Sequence, residues 1–172
     1  MKNKVLLVGL GNILLSDEGT GVHAVEALRK RFDFPGVDLL DGGTLGLDLL
    51  PWMEGREKVL FIDAVNFQEH PGTIAVREGR DIPSFLGPRL SFHHVGLPDL
   101  LFAMSFRGDE PAKIALVGIQ PEKIEVGLTL SETVRGRFEK LLNAVVEKLR
   151  EWGVEANRKL SCENVHVPGR PF

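Results

Sequence analysis

The chain has 172 residues, 43% of them apolar and 26% charged, with a formal net charge of −3. That is enough bulk for one domain with a hydrophobic core, too apolar for a disordered chain, and without the concentrated basic surface that nucleic acid binding requires. No apolar run reaches the roughly 18 to 20 residues of a membrane-spanning helix, and the single cysteine, Cys162, excludes an internal disulfide and a cysteine-based metal cluster; a cytoplasmic protein is the simplest expectation.

Val5 to Leu10 is a short apolar run that reads as a buried first strand rather than as a signal peptide. It breaks at Gly9 and Gly11 and is followed by the adjacent acids Asp17 and Glu18. From Gly19 the spacing of Val22, Val25, Leu28 and Phe32 predicts a helix, closed by Phe34-Pro35-Gly36. Val37 to Leu40 predicts a second strand, with Asp41-Gly42-Gly43-Thr44 immediately after it. Leu45 to Met53 predicts a second helix, interrupted or tightened near Pro51. Lys58 to Val65 is continuously apolar except for Asp63, the pattern of a parallel strand buried on both faces.

Gly72 to Val76 predicts a further strand after the turn His70-Pro71-Gly72. Residues 78–96 read as a long loop ending in His93-His94-Val95-Gly96, and loops of that length are often functional. Leu97 to Phe106 predicts a helix with Pro98 in its first turn, and Lys113 to Ile119 another strand. Ser131 is placed to cap a last helix whose apolar stripe is Val134, Phe138, Leu141, Leu142, Val145, Leu149 and Trp152; Gly153 ends it. The alternation of strands and helices predicts an α/β fold, a three-layer sandwich with a mostly parallel twisted sheet and helices on both faces. Residues 1–153 read as a single domain. Residues 154–172 read as a tail without clear period, loosely ordered or docked on the surface.

Three acids interrupt this pattern at corresponding places: Glu18 after the first strand, Asp41 after the second, and Asp63 near the end of the third. All fall on the carboxyl edge of the sheet, where open α/β folds gather ligand-binding residues. Each also has an ordinary structural role open to it. Glu18 suits a helix N-terminus, Asp63 can bond a neighbouring turn, and Asp41 before two glycines suits a turn. Asp63 is the most informative, because an unpaired carboxylate among Val59, Leu60, Phe61 and Ile62 costs several kcal/mol to bury. With a histidine from the His93-His94 pair, two such carboxylates form a mixed oxygen and nitrogen donor set that suits nickel, zinc or manganese. The same residue types also serve general acid–base hydrolysis.

Other motifs fail. The run from Gly9 starts like the dinucleotide fingerprint but has Leu14 where its third glycine belongs. There is no phosphate-binding loop and no G-x-S-x-G elbow. Cys162 has no positioned base that would make it a nucleophile.

The segments GNILLSDEGTGVHAVEAL, LDGGTLGLDLL, FIDAV and SFHHVGLPDLL together resemble the maturation endopeptidases of nickel-iron hydrogenases, in order and spacing, from about Val5 to Gly153. The resemblance implies an enzyme that removes the carboxy-terminal extension of the hydrogenase large-subunit precursor after nickel insertion. It implies metal ligands at Glu18, Asp63 and His93, with the spacing to Gly96-Leu97 favouring His93 over His94. Asp41 matches a position of functional weight in the family, so that Asp41 or Asp63 is the carboxylate that would activate water if the metal did not take part. The Ni2+ would arrive in the substrate, the partner being the nickel-loaded precursor; neither nucleic acid nor membrane insertion is expected.

Overall fold

The computed structural model describes residues 3–82, 97–108 and 110–160. Five strands make one sheet: β1 (Val5–Leu10), β3 (Val37–Gly43), β4 (Lys58–Ala64), β5 (Ile74–Glu78) and β6 (Lys113–Ile119), in the spatial order β3-β1-β4-β6-β5. The first four neighbours run parallel, and β5 lies antiparallel on β6. The three inner strands, β1, β4 and β6, are predominantly apolar runs, as expected of strands covered on both faces.

Helices cover both faces. On one, α1 (Thr20–Arg31) and the long α4 (Glu132–Glu151) bury Val25, Leu28, Leu141, Val145 and Leu149 against Leu7, Leu60, Ile62 and Val117. On the other, the short α2 (Leu50–Met53) and α3 (Leu97–Arg107) bury Met53, Leu100 and Met104 against Leu6, Val8, Val59 and Phe61. This is the three-layer α/β sandwich that the alternation of the sequence predicts. Ser131 caps α4 as expected, its hydroxyl accepting the Val134 N–H at 3.2 Å.

Four local expectations change. The first helix stops at Arg31; Phe32 is extended and with Asp33 forms β2, because its ring reaches the core and stacks on Phe34, 5.5 Å between centroids, from an extended backbone. The second sheet strand does not end before Asp41 but runs through it to Gly43. Residues 45–53 are not one helix: a 3-10 turn, Gly46–Leu49, precedes α2, so the tightening lies ahead of Pro51. The strand after Pro71 begins at Ile74, leaving Gly72 in the turn with its N–H donated to the Gln120 carbonyl.

Beyond Gly153 the chain is docked as far as Leu160. β7 (Asn157–Arg158) pairs antiparallel with β2, and Val154 and Ala156 pack on the core. Among the described residues no helix is long and apolar enough to cross a membrane.

Candidate active site at the carboxyl edge of the sheet

Strand connections leave β1 and β4 in opposite directions, β1 toward β3 by way of α1 and β4 toward β5 at the far edge, beyond β6. The switch in direction opens a crevice outside the carboxyl ends of those two strands, the usual ligand site of such sheets.

β1 ends at Leu10, and the chain turns back at Gly11, whose φ of +124° few side chains tolerate. A Cβ on Gly11 would also stand 1.8 Å from the Glu18 carbonyl oxygen, so glycine is what lets the strand end and the acidic turn lie against one another. The Asn12 N–H donates to the Glu18 carboxylate, and the Asn12 side-chain oxygen accepts the Leu14 N–H at 2.9 Å. Ser16, buried and at a positive φ of 51°, opens a 3-10 turn, Ser16–Gly19, that leads directly into α1. A non-glycine residue in that conformation is strained by about 1–3 kcal/mol and persists only where its surroundings impose it.

The two acids of the turn have separate fates. Glu18 is half-buried and faces the Asn12 amide. Asp17 is wholly buried. Its carboxylate accepts the N–H groups of Glu122 at 2.9 Å, Lys123 at 3.1 Å and Ser131 at 2.7 Å, and the Ser131 hydroxyl at 2.8 Å. It thereby ties the Glu18 turn to the segment between β6 and α4.

Asp63 lies at the end of β4, opposite Gly118 of β6, and is only 5% exposed. The turn bearing Glu18 comes down beside it: a Cβ on Gly21 would be 2.2 Å from the carbonyl oxygen of Ile62, the residue before Asp63. By strand alternation Asp63 shares the face of Val59 and Phe61, against which α3 packs. α3 begins at Leu97, four positions after His93 in the sequence. Asp41 is exposed, in register with Gly9, which pairs with Ile62 on its other side. Asp41 and Asp63 therefore stand two strands apart, about 10 Å. The Asp41 carboxylate accepts the Gly43 N–H at 3.0 Å, the turn-forming role its sequence suggests.

The structure thus brings Glu18, Asp41 and Asp63 to one edge. His93 and His94 lie outside the described residues, as does Cys162. Among the described residues no three His, Cys, Asp or Glu side chains form a group that could hold a metal ion.

Sequence reasoning missed two residues that shape this edge. Asp17 is one; its partners are more than a hundred positions away. Gln120 is the other. Buried just past β6, its side-chain oxygen accepts the Phe67 N–H at 2.6 Å and its amide donates to Asn66 at 3.3 Å, fixing the loop after β4. A polar residue directly following the apolar run KIALVGI was the available signal.

The chain is thus a mostly parallel α/β sheet with carboxylates gathered at the carboxyl edge, where such folds bind their ligands. Comparison with known proteins gives that fold its family. A model described as hydrogenase maturation protease matches residues 22–148. The hydrogenase 2 maturation protease of Escherichia coli K12 is 41% identical over 155 residues, 89% of this chain and 94% of the relative. The hydrogenase expression/formation protein HupD of Rhodobacter capsulatus is 37% identical over 94% of this chain and 78% of its own length. Among solved structures, the hydrogenase maturating endopeptidase HybD from E. coli superposes with a TM-score of 0.85 at 41% identity, covering 91% of this chain and 98% of that one. The [NiFe] hydrogenase maturation protease HybD from Thermococcus kodakarensis does so with a TM-score of 0.69 at 30% identity, over 85% and 98%. The chain belongs to the hydrogenase maturation protease family.

Proposed function

We propose that this protein is the endopeptidase that removes the carboxy-terminal extension of a nickel-iron hydrogenase large-subunit precursor once nickel has been inserted, and that Glu18, Asp63 and His93 recognise the nickel the substrate carries. The observation that carries the reading is the approach of the Glu18 turn to the end of β4, with Gly21 against the Ile62 carbonyl. Two carboxylates remote in sequence come to one crevice in a chain of this family.

The donor set fits the ion. Two hard carboxylates and a borderline imidazole make a mixed oxygen and nitrogen set that accepts nickel without saturating it. Open positions remain for ligands from the precursor, so cleavage depends on a correctly loaded substrate. Asp63, at 5% exposure, is a carboxylate of the set held away from solvent at the end of β4. Asp41 and Asp63 are the groups that would activate water for attack on the scissile carbonyl. Asp41 is exposed and orders the turn at Gly43, which makes it the one a water reaches most directly.

The test is cleavage of nickel-loaded against nickel-free precursor, followed by mass spectrometry of the large subunit. Loss of the extension from the loaded form alone is expected. Equal cleavage of both would remove nickel recognition from the proposal, and binding without a change in mass would make the protein a checkpoint rather than a protease.

A further inference from the structure

The segment between β6 and α4 carries Ile124, Val126 and Leu128, which are 47%, 89% and 68% exposed. Beside it, ahead of the acidic turn, Ile13 and Leu14 are also exposed. The two stretches are joined by a parallel bridge between Leu15 and Gly127, with the Ser16 N–H donated to the Gly127 carbonyl at 2.8 Å and the Gly127 N–H to the Leu14 carbonyl at 2.9 Å. That bridge sets Leu14 and Val126 as neighbours. Single exposed aliphatic residues are ordinary, but five on two bridged segments form a patch of the kind that meets another protein.

Four further observations say what kind of surface it is. It is continuous with the candidate cleavage site, since Glu18 follows Leu14 by four residues through the same 3-10 turn. It is held in place from below: the four hydrogen bonds that Asp17 accepts from Glu122, Lys123 and Ser131 bind both ends of the apolar segment to the Glu18 turn. Lys123 pairs with Glu125 at 2.7 Å, which leaves the exposed Glu122 at the start of the segment and aliphatic contact along the rest of it. At Leu128 it opens into a groove of about 470 Å³ whose lining is mixed, with Leu130 and Phe138 beside the charged Glu26, Lys30, Arg31 and Arg135.

We propose that this ledge of Ile13, Leu14, Ile124, Val126 and Leu128 receives an apolar stretch of the precursor's polypeptide beside the bond to be cut. The proposal rests on the reading of the Glu18 edge as the cleavage site. A protease must hold the chain on at least one side of the scissile bond as well as address the reacting group, and the ledge is the apolar surface attached to the same turn as Glu18. It supplies binding energy that is the same in ground and transition states, so it governs KM rather than kcat.

The test is the double variant Leu14→Ser/Val126→Ser, both positions being exposed enough to leave the fold intact, assayed on the nickel-loaded precursor. KM is expected to rise about tenfold with kcat within about twofold of the parent and an unchanged thermal midpoint. An unchanged KM overturns the proposal. So does a parent protein that sediments as a dimer while the double variant sediments as a monomer with the parent's KM, which would assign the ledge to a second copy of the chain. Glu18→Gln is assayed in parallel: if it retains full cleavage, the failure lies in the reading of the edge and not in the ledge.

Discussion

The carboxylate of Asp17 accepts two hydrogen bonds from Ser131, from its N–H at 2.7 Å and from its hydroxyl at 2.8 Å, across 114 positions of the chain. The same hydroxyl accepts the Val134 N–H and so begins α4. A buried acid beside β1 is therefore part of the cap of the last helix. Replacing it by alanine leaves four donors without their acceptor, of which the two of Ser131 are buried and cost about 1–3 kcal/mol each if they find no water. Asp17→Ala is expected to lose at least about 3 kcal/mol in urea unfolding. Glu18→Gln, half-buried next door, is expected to lose less than about 1 kcal/mol. Similar losses for the two would refute the division of labour between them.

Gly21→Ala is expected to destabilise the protein although alanine is the better helix former by about 1 kcal/mol. The new Cβ would meet the Ile62 and Leu10 carbonyl oxygens at 2.2 and 2.3 Å, both of them backbone atoms that cannot rotate away. Overpacking of this kind costs about 1–3 kcal/mol, and a thermal midpoint at or above that of the parent would contradict it. The variant is also expected to lose cleavage, because relief requires moving the Glu18 turn away from β4.

Glu18→Gln, Asp63→Asn and His93→Ala are each expected to lower cleavage of the nickel-loaded precursor by at least about a hundredfold while leaving the circular dichroism spectrum unchanged. Full activity in His93→Ala would transfer the assignment to His94. Asp41→Asn keeps an acceptor for the Gly43 N–H, so loss of activity there would report chemistry rather than turn geometry.

Two ion pairs far from the site predict opposite pH dependences. Partial burial disfavours the Asp38 carboxylate, but hydrogen bonds from Arg56 and Asn3 outweigh it and hold its pKa below the usual carboxylate value. Its contribution is fully present above the unfolded pKa of about 3.9 and is lost as pH falls through the lower, folded value. Burial likewise disfavours the Lys148 cation, yet Glu151 and Glu78 raise its pKa above the usual amine value. That contribution is full below about pH 10.4 and is lost as pH rises through the folded value. Urea midpoints measured from pH 3 to 11 are expected to show Asp38→Asn flattening only the acid limb and Lys148→Met only the alkaline limb. A variant that flattens the other limb would refute its assignment.

The strands with long apolar runs, β1, β4 and β6, were legible to within a residue or two, as was the stripe of α4 with its cap, because burial on both faces leaves a continuous apolar run and burial on one helical face leaves a local period. Phe32 misled because its place in the helical stripe and its place in the core agree, while its backbone does not. The extension of β3 through Asp41 escaped because two glycines argue for a turn when the partner strand is unknown. At the site, Glu18 and Asp63 could be singled out by breaking an apolar pattern. Asp17 breaks the same pattern, but its purpose depends on Glu122, Lys123 and Ser131, and no local spacing connects them.

β3 and β5 are the outer strands of the sheet, and an outer strand offers unpaired backbone groups to any passing chain. β3 carries Asp38 and Asp41 there, and β5 carries Arg77 and Glu78. Asp41, at the carboxyl end of an outer strand, is thus also part of the guard against edge-to-edge pairing of this protein with its own copies. An apolar replacement at Asp41 would expose a longer neutral rim and invite self-assembly, so colloidal behaviour is set in part by one carboxylate.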